Sequence, residues 1–201
     1  MIRVLLAEDQ AMVREALAAL LALEDDIEVV SQVSRGDDVV PSAVATQPDV
    51  ALLDIEMPGQ DGLAAAAALV RAVPSCRTLI LTTFGRPGYL RRAMDAGVCG
   101  FLIKDAPAAE LTRSIRRAMA GERVVDPGLA IAALAEGTSP LTGRERDVIL
   151  ASRDQPTVAD IATALHLSPG TVRNHLSAAM TKLGAHNRAE ALRMAEERGW
   201  L

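Results

Sequence analysis

DVALLDIEMPGQDG, residues 49–62, decides how the rest of the chain is read. Val50–Leu53 is apolar at every position, Asp54 follows at once, and Met57-Pro58-Gly59 breaks the run. An uninterrupted apolar run of this length fits a strand covered on both faces, as in a parallel sheet. Asp54 then sits at the strand's carboxyl end, where open α/β sheets bind ligands. An Asp in that place is also an ordinary turn former. The neighbouring segments have to decide between the two.

Working outward, Ile2–Ala7 reads as a strand ending in Glu8-Asp9, and Met12, Ala16, Leu17, Leu20 and Leu21 follow at helical spacing. Ile27–Val33 alternates like a strand nearer the sheet edge, and Gly36-Asp37-Asp38 opens a short helix. Downstream come an Ala-rich helix from Leu63, a strand at Thr78–Thr83, a helix ending near Gly97, a strand at Gly100–Ile103 ending in Lys104, and a helix opened by Pro107. Strands alternating with helices over about 120 residues call for parallel crossovers and a doubly wound sheet.

Four strands carry polar residues at or just past their C-terminal ends: Glu8 and Asp9, Asp54, Thr82, and Lys104. In a parallel sheet all those ends lie on one edge, so the residues converge. Carboxylates brought together repel one another, and a shared proton or a cation relieves them. Hard oxygen ligands with room for water suit Mg²⁺. A carboxylate can also act as a nucleophile and form an aspartyl phosphate. Lys104 and the Thr82 hydroxyl would meet phosphoryl oxygens, which are the components of phosphoryl transfer by positioning and charge. Of Thr82 and Thr83 only one can face such a site, since adjacent strand residues point opposite ways; spacing selects Thr82.

Half the residues are apolar but only 2% aromatic, so the core is aliphatic, and the net charge of −5 argues against a uniformly nucleic-acid-coating protein. Cys76 and Cys99 lack metal spacing and read as buried thiols in a reducing compartment. With no signal-like or membrane-spanning segment, a cytoplasmic location is expected.

Gly121–Ser139 reads as a linker with a short helix at 128–136, and from Pro140 closely spaced helices replace the strand pattern. Thr142 and Glu145 form a capping-box signature, Thr157 caps a short helix, His166-Leu167 turns the chain, and Ser168-Pro169 starts a helix reaching Leu183. Two short helices joined by a tight turn describe a helix-turn-helix. In the second of them Val172, Leu176, Ala179 and Leu183 share one face, and Asn174, Ser177, Ala178 and Thr181 the other, flanked by Arg173, His175 and Lys182. Ile161–Ala189 holds no carboxylate but carries Arg173, Lys182 and Arg188, a local bias suited to phosphates although residues 139–201 total only +1, eight basic against seven acidic.

With these residues in place the first 120 positions resemble a response-regulator receiver domain, the Lys104-Asp105 pair resembles the NarL/FixJ family, and TTFGRPGY, residues 82–89, resembles its DesR-like group. LTGRERDVI, IATALHLSPGTVRNHLSAAMTKLG and NRAEAL resemble the LuxR-type DNA-binding domain. The resemblance implies a flavodoxin-like receiver at 1–120 with a five-stranded sheet of order 2-1-3-4-5, a linker at 121–137, and an all-α helix-turn-helix domain at 138–201. It implies Asp54 as phosphoacceptor, Thr82, Lys104 and Phe101 as switch residues, and Mg²⁺ held by Glu8, Asp9, Asp54 and the Glu56 backbone carbonyl. Phe101 is expected to move inward with Thr82 on phosphorylation. Arg173, Asn174 and Ser177 are implied to contact DNA in the major groove, and Thr171, His175 and Lys182 mostly to serve phosphates or packing. The expected partners are a sensor histidine kinase, double-stranded promoter DNA, a second copy on activation, and RNA polymerase; no membrane and no enzymatic turnover are expected beyond slow self-phosphorylation and self-dephosphorylation. Enzyme readings are poorer. The chain lacks the G-x-x-x-x-G-K-[ST] loop of P-loop ATPases, and Asp54 is followed by Ile55-Glu56 where haloacid-dehalogenase-type phosphatases have Asp-x-Asp. A phosphorylation-independent DNA binder with the same fold is the remaining alternative.

Overall fold

The computed structural model describes residues 1–83, 87–135 and 139–201, and the chain divides into two compact units, one of residues 1–83 with 90–131 and one of residues 132–201 with 87–89. The expected boundary at 137/138 and the Phe84–Arg86 part of TTFGRPGY lie outside the described residues.

In the first unit β1 (Ile2–Ala7), β2 (Ile27–Val33), β3 (Val50–Asp54), β4 (Arg77–Thr82) and β5 (Gly100–Ile103) alternate with α1 (Ala11–Leu21), α2 (Val39–Thr46), α3 (Gly62–Ala72), α4 (Pro87–Asp95) and α5 (Ala108–Met119). All pairings are parallel, and with β6 (Val124–Val125) the order is β2-β1-β3-β4-β5-β6. Every residue of β3 is buried, as its unbroken apolar run requires. Leu21 of α1 and Leu111, Ile115 and Ala118 of α5 pack on Val4, Leu6, Val50, Leu52, Leu79, Leu81 and Leu102. Each such aliphatic side chain contributes about 1.5–3 kcal/mol by leaving water. Leu5, Leu53, Ile80 and Phe101 alternate to the other side of the sheet and are fully buried. Cys76 is buried, and that burial pushes its thiol up to about 12, whereas Cys99 is only half-buried, contrary to expectation.

The sheet has six strands, not five. β6 (Val124–Val125) pairs with Gly100 and Phe101 of β5, and α6 (Pro127–Ala135) follows with Asp126 Oδ1 accepting from Leu129 N at 2.9 Å. Much of the expected linker is therefore ordered structure. A two-residue strand is too short to show a periodicity, so composition alone reads as linker.

The loop after β3 is held tightly. Asp61 caps α3 by accepting from Ala64 N at 2.7 Å, and Gly62 N donates to Ile55 O at 2.9 Å. A Cβ on Gly62 would fall 1.8 Å from the Asp54 carbonyl oxygen. Only glycine lets the start of α3 come this close to the strand end, and that closeness fixes where Asp54 stands.

The second unit packs α7 (Gly143–Ala151), α8 (Val158–Ala164), α9 (Pro169–Leu183) and α10 (Arg188–Glu197) around Val148, Ile149, Ile161, Val172, Leu176, Ala179, Leu183, Ala191 and Ala195. Thr142 and Glu145 form the expected capping box, Thr157 forms a second with Asp160, and Ser168 caps α9. The turn between α8 and α9 places His166 at φ +54°, a left-handed conformation that costs a non-glycine residue about 1–2 kcal/mol. Glycine relieves that strain but loses more entropy on folding. His166→Gly is expected to stabilise this unit by roughly 0.5–1 kcal/mol, raising its thermal midpoint by a few degrees. A lower midpoint on calorimetry would show that the histidine side chain contributes more than the strain removes.

Candidate functional site

The C-terminal ends of β1, β3, β4 and β5 meet on one edge, as parallel strands must. Glu8 (1% exposed), Asp54 (5%) and Thr82 (3%) are buried there. Lys104 Nζ lies 2.6 Å from Glu8 Oε2 and 3.1 Å from Asp54 Oδ2, and the other Asp54 oxygen, Oδ1, accepts from Ile55 N at 2.8 Å. Asp9 is exposed at the mouth of the site. Glu8, Asp9 and Asp54 each offer an oxygen within 4.8 Å of the others.

Two buried carboxylates share one ammonium here, and a third stands beside them. Burial raises the Asp54 carboxyl above its ordinary value, and the Glu8 charge adds to the rise; the charge and hydrogen bond of Lys104 pull it down without overcoming it. Burial alone would lower Lys104, but hydrogen bonding to Glu8 and the charge and hydrogen bond of Asp54 together carry it above its usual value. Three carboxylates against one ammonium leave an excess of negative charge in the cluster. Three hard oxygen donors in an uncompensated cluster open to water fit Mg²⁺, which binds through few carboxylates and keeps its own waters.

The remaining receiver residues take distinct places. Thr82 ends β4, opposite Ile103, and is buried while Thr83 is exposed. Glu56 has an exposed side chain two residues past Asp54. Phe101 is already fully enclosed, at 0% exposure. The expected inward movement of Phe101 therefore has no starting point in this conformation. Its ring alternates to the same side as its pairing partner Ile80, into an aliphatic core that favours enclosure.

In the second unit α9 buries Val172, Leu176, Ala179 and Leu183, and Arg173, Asn174, Ser177 and Thr181 are exposed. Thr171 and His175 are half-buried, and the Thr171 hydroxyl hydrogen-bonds with Ser168 Oγ at 2.8 Å. Lys182 is exposed, yet its ammonium is paired. Its Nζ donates to both Glu145 oxygens, at 2.9 and 2.7 Å, and so joins α9 to α7. Arg188 likewise donates to Pro156 O at 2.5 Å. Of the three basic residues counted between Ile161 and Ala189, Arg173 alone has no ion pair or hydrogen bond among the described residues. The Glu145–Lys182 pair spans 37 positions, and no local pattern announces it.

A family profile for the response regulator receiver domain matches residues 4–116, and one for the luxR family of bacterial regulatory proteins matches 139–195. The chain is 46% identical to the transcriptional regulatory protein DesR of Bacillus subtilis strain 168, over 100% of this chain and 99% of that one. It is 40% identical to the response regulator RamR of Streptomyces coelicolor, over 100% and 98%. The crystal structure of the response regulator ChrA from a heme-sensing two-component system superposes with a TM-score of 0.59 at 32% identity, over 100% of this chain and 98% of that one. RcsB bound to DNA shares the fold, with a TM-score of 0.67 at 22% identity, over 98% of both chains. Among the described residues no helix is long and apolar enough to cross a membrane.

Proposed function

Because the chain belongs to the NarL/FixJ family of response regulators, a receiver domain followed by a LuxR-type DNA-binding domain, we propose that a sensor histidine kinase phosphorylates Asp54 and that the modification controls dimerisation and binding to promoter DNA. The observation that carries this reading is the Asp54 carboxylate at the end of β3, 3.1 Å from Lys104 Nζ and inside the acidic cluster. An Asp54 oxygen attacks the phosphorus of the kinase phosphohistidine; the new O–P bond forms as the P–N bond breaks, and the electron pair returns to the imidazole. Lys104 stands where it can trade a carboxylate for a phosphoryl oxygen, and Thr82 is the neighbouring hydroxyl. Mg²⁺, held by Glu8, Asp9, Asp54 and the Glu56 carbonyl, would neutralise charge on the transferring group.

The dimer face we favour includes α1. Met12 and Leu23, 83% and 84% exposed, flank exposed Ala16, Ala19 and Ala22 with Glu15 the sole charge among them. Two copies would place two α9 helices in successive major grooves, with Arg173, Asn174 and Ser177 toward base edges and phosphates.

Acetyl phosphate with Mg²⁺ is expected to give a phosphorylated species, resolved by phosphate-affinity electrophoresis, that gains mass by size exclusion and affinity for DNA fragments selected from genomic libraries. In Asp54→Asn both incorporation and the donor-dependent gains are expected to vanish. Undiminished incorporation in that variant would place the phosphoryl group elsewhere, and unchanged DNA affinity on wild-type phosphorylation would favour the phosphorylation-independent binder.

A further inference from the structure

Asp9 is the least restrained member of the acidic cluster. It is exposed, and its carboxylate makes no hydrogen bond or ion pair among the described residues. Its direction therefore depends on the backbone that carries it. The N-terminus of α1 supplies little help, since Gln10 makes no side-chain cap and the first turn has no acidic residue. What holds this turn comes from elsewhere. Glu8 N donates to Val33 O at 3.0 Å, and Gln10 N donates to Glu8 Oε1 at 3.3 Å. Arg14, half-buried one turn into α1, reaches back along the helix as long helical side chains do. Its Nη1 donates to Glu8 O at 2.6 Å and approaches Asp9 O at 3.5 Å, the limit of a hydrogen bond.

We propose that Arg14 is a positioning residue for the cation site: by clamping the Glu8 and Asp9 peptide groups it presents the Asp9 carboxylate to the position shared with Asp54. The proposal rests on the reading of the acidic cluster as a divalent-cation site. Both contacts come from the one nitrogen Nη1, so a lysine ammonium that reached the same point would keep part of the clamp. Groups that hold ligands from behind typically matter 10–100-fold in metal affinity. The guanidinium also brings positive charge near the cluster, and this second effect has the opposite sign for a cation. Deleting a clamp weakens cation binding, and deleting a repelling charge strengthens it. The direction of the change therefore separates the two roles.

Mn²⁺ binding to the full chain, followed by the electron paramagnetic resonance of free Mn²⁺, gives the test. Arg14→Met is expected to bind Mn²⁺ about 10-fold more weakly than wild type, with Arg14→Lys in between. With acetyl phosphate the KM for Mg²⁺ should rise in step while the rate at saturating Mg²⁺ is retained, a split that general misfolding does not produce. Metal-free thermal unfolding of each variant establishes that a folded protein is being titrated, and Arg14→Lys carries the test if Arg14→Met does not fold. Unchanged or tighter Mn²⁺ binding in a folded Arg14 variant overturns the proposal. Asp9→Asn is the control: if wild type and Asp9→Asn bind Mn²⁺ alike, the cation site itself is misassigned, and the clamp falls with it.

Discussion

Lys104→Met is expected to lower the unfolding free energy of the receiver by about 3–5 kcal/mol near neutral pH, the range for removing one partner from a buried ion cluster. Among the described residues Lys104 is the one cation within ion-pair distance of both Glu8 and Asp54, at 2.6 and 3.1 Å, and both carboxylates are nearly inaccessible to water. Without it two buried negative charges face each other. The deficit should depend on pH with a definite sign. Asp54 is already raised above its ordinary value, first by burial and then by Glu8, and loss of Lys104 raises it further. A carboxyl raised on folding contributes stability below its unfolded pKa and loses it as pH rises through the folded pKa. The variant should therefore lie closest to wild type at about pH 4 or below, where the unfolded carboxyl is itself protonated, and fall behind as pH increases. In wild type Lys104 has the raised pKa of a paired ammonium, so its contribution persists through neutral pH and is lost only in alkali. Urea unfolding at both pH values measures this. Glu8→Gln in the same background should recover part of the loss, and equal stability of wild type and Lys104→Met at neutral pH would contradict the ion-cluster account.

Glu145→Leu should have the corresponding effect on the DNA-binding unit. Glu145 accepts from Thr142 N at 2.7 Å to close the capping box, and from Lys182 Nζ through both oxygens. One side chain thus starts α7 and joins it to α9. Loss of the box costs about 1 kcal/mol, and loss of the pair adds less than a fully buried one would, because Lys182 can turn to water. A total of roughly 2 kcal/mol is expected, enough to matter in a small unit. Burial works to raise the Glu145 carboxyl, but Lys182 and Thr142 hold it below its ordinary value. A depressed carboxyl contributes stability above its unfolded pKa and loses it as pH falls through the folded one, so the wild-type advantage should disappear in acid. Since α9 carries Arg173 and Asn174, DNA affinity should fall with stability. Glu145→Gln retains an acceptor for Thr142 and should be intermediate. An unchanged melting temperature in Glu145→Leu would remove this joint from the account.

What could be read before folding was whatever depends on periodicity and on the direction of a parallel sheet. Glu8, Asp54, Thr82 and Lys104 are legible because each closes a strand and all those ends share an edge. The buried face of α9 was found because Val172, Leu176, Ala179 and Leu183 recur at helical spacing. β6 is not legible because two residues display no period. The pairing of Lys182 with Glu145, and of Arg188 with the Pro156 carbonyl, joins residues 37 and 32 positions apart, which only tertiary packing brings together. Those two pairs engage Lys182 and Arg188 within the unit, whereas Arg173 makes no ion pair or hydrogen bond among the described residues.

The short β6 also bears on how the receiver avoids sticking to itself. A parallel sheet that stopped at β5 would leave the outer N–H and C=O groups of Gly100 and Phe101 open to any extended segment, including one from another copy. Val124 and Val125 occupy that border, with Val124 N donating to Cys99 O at 2.9 Å. Being only two residues long, β6 offers almost no ladder of its own for a stranger to extend. The segment that leaves the receiver thus guards against edge-to-edge aggregation, and a receiver cut before residue 124 would lose that guard.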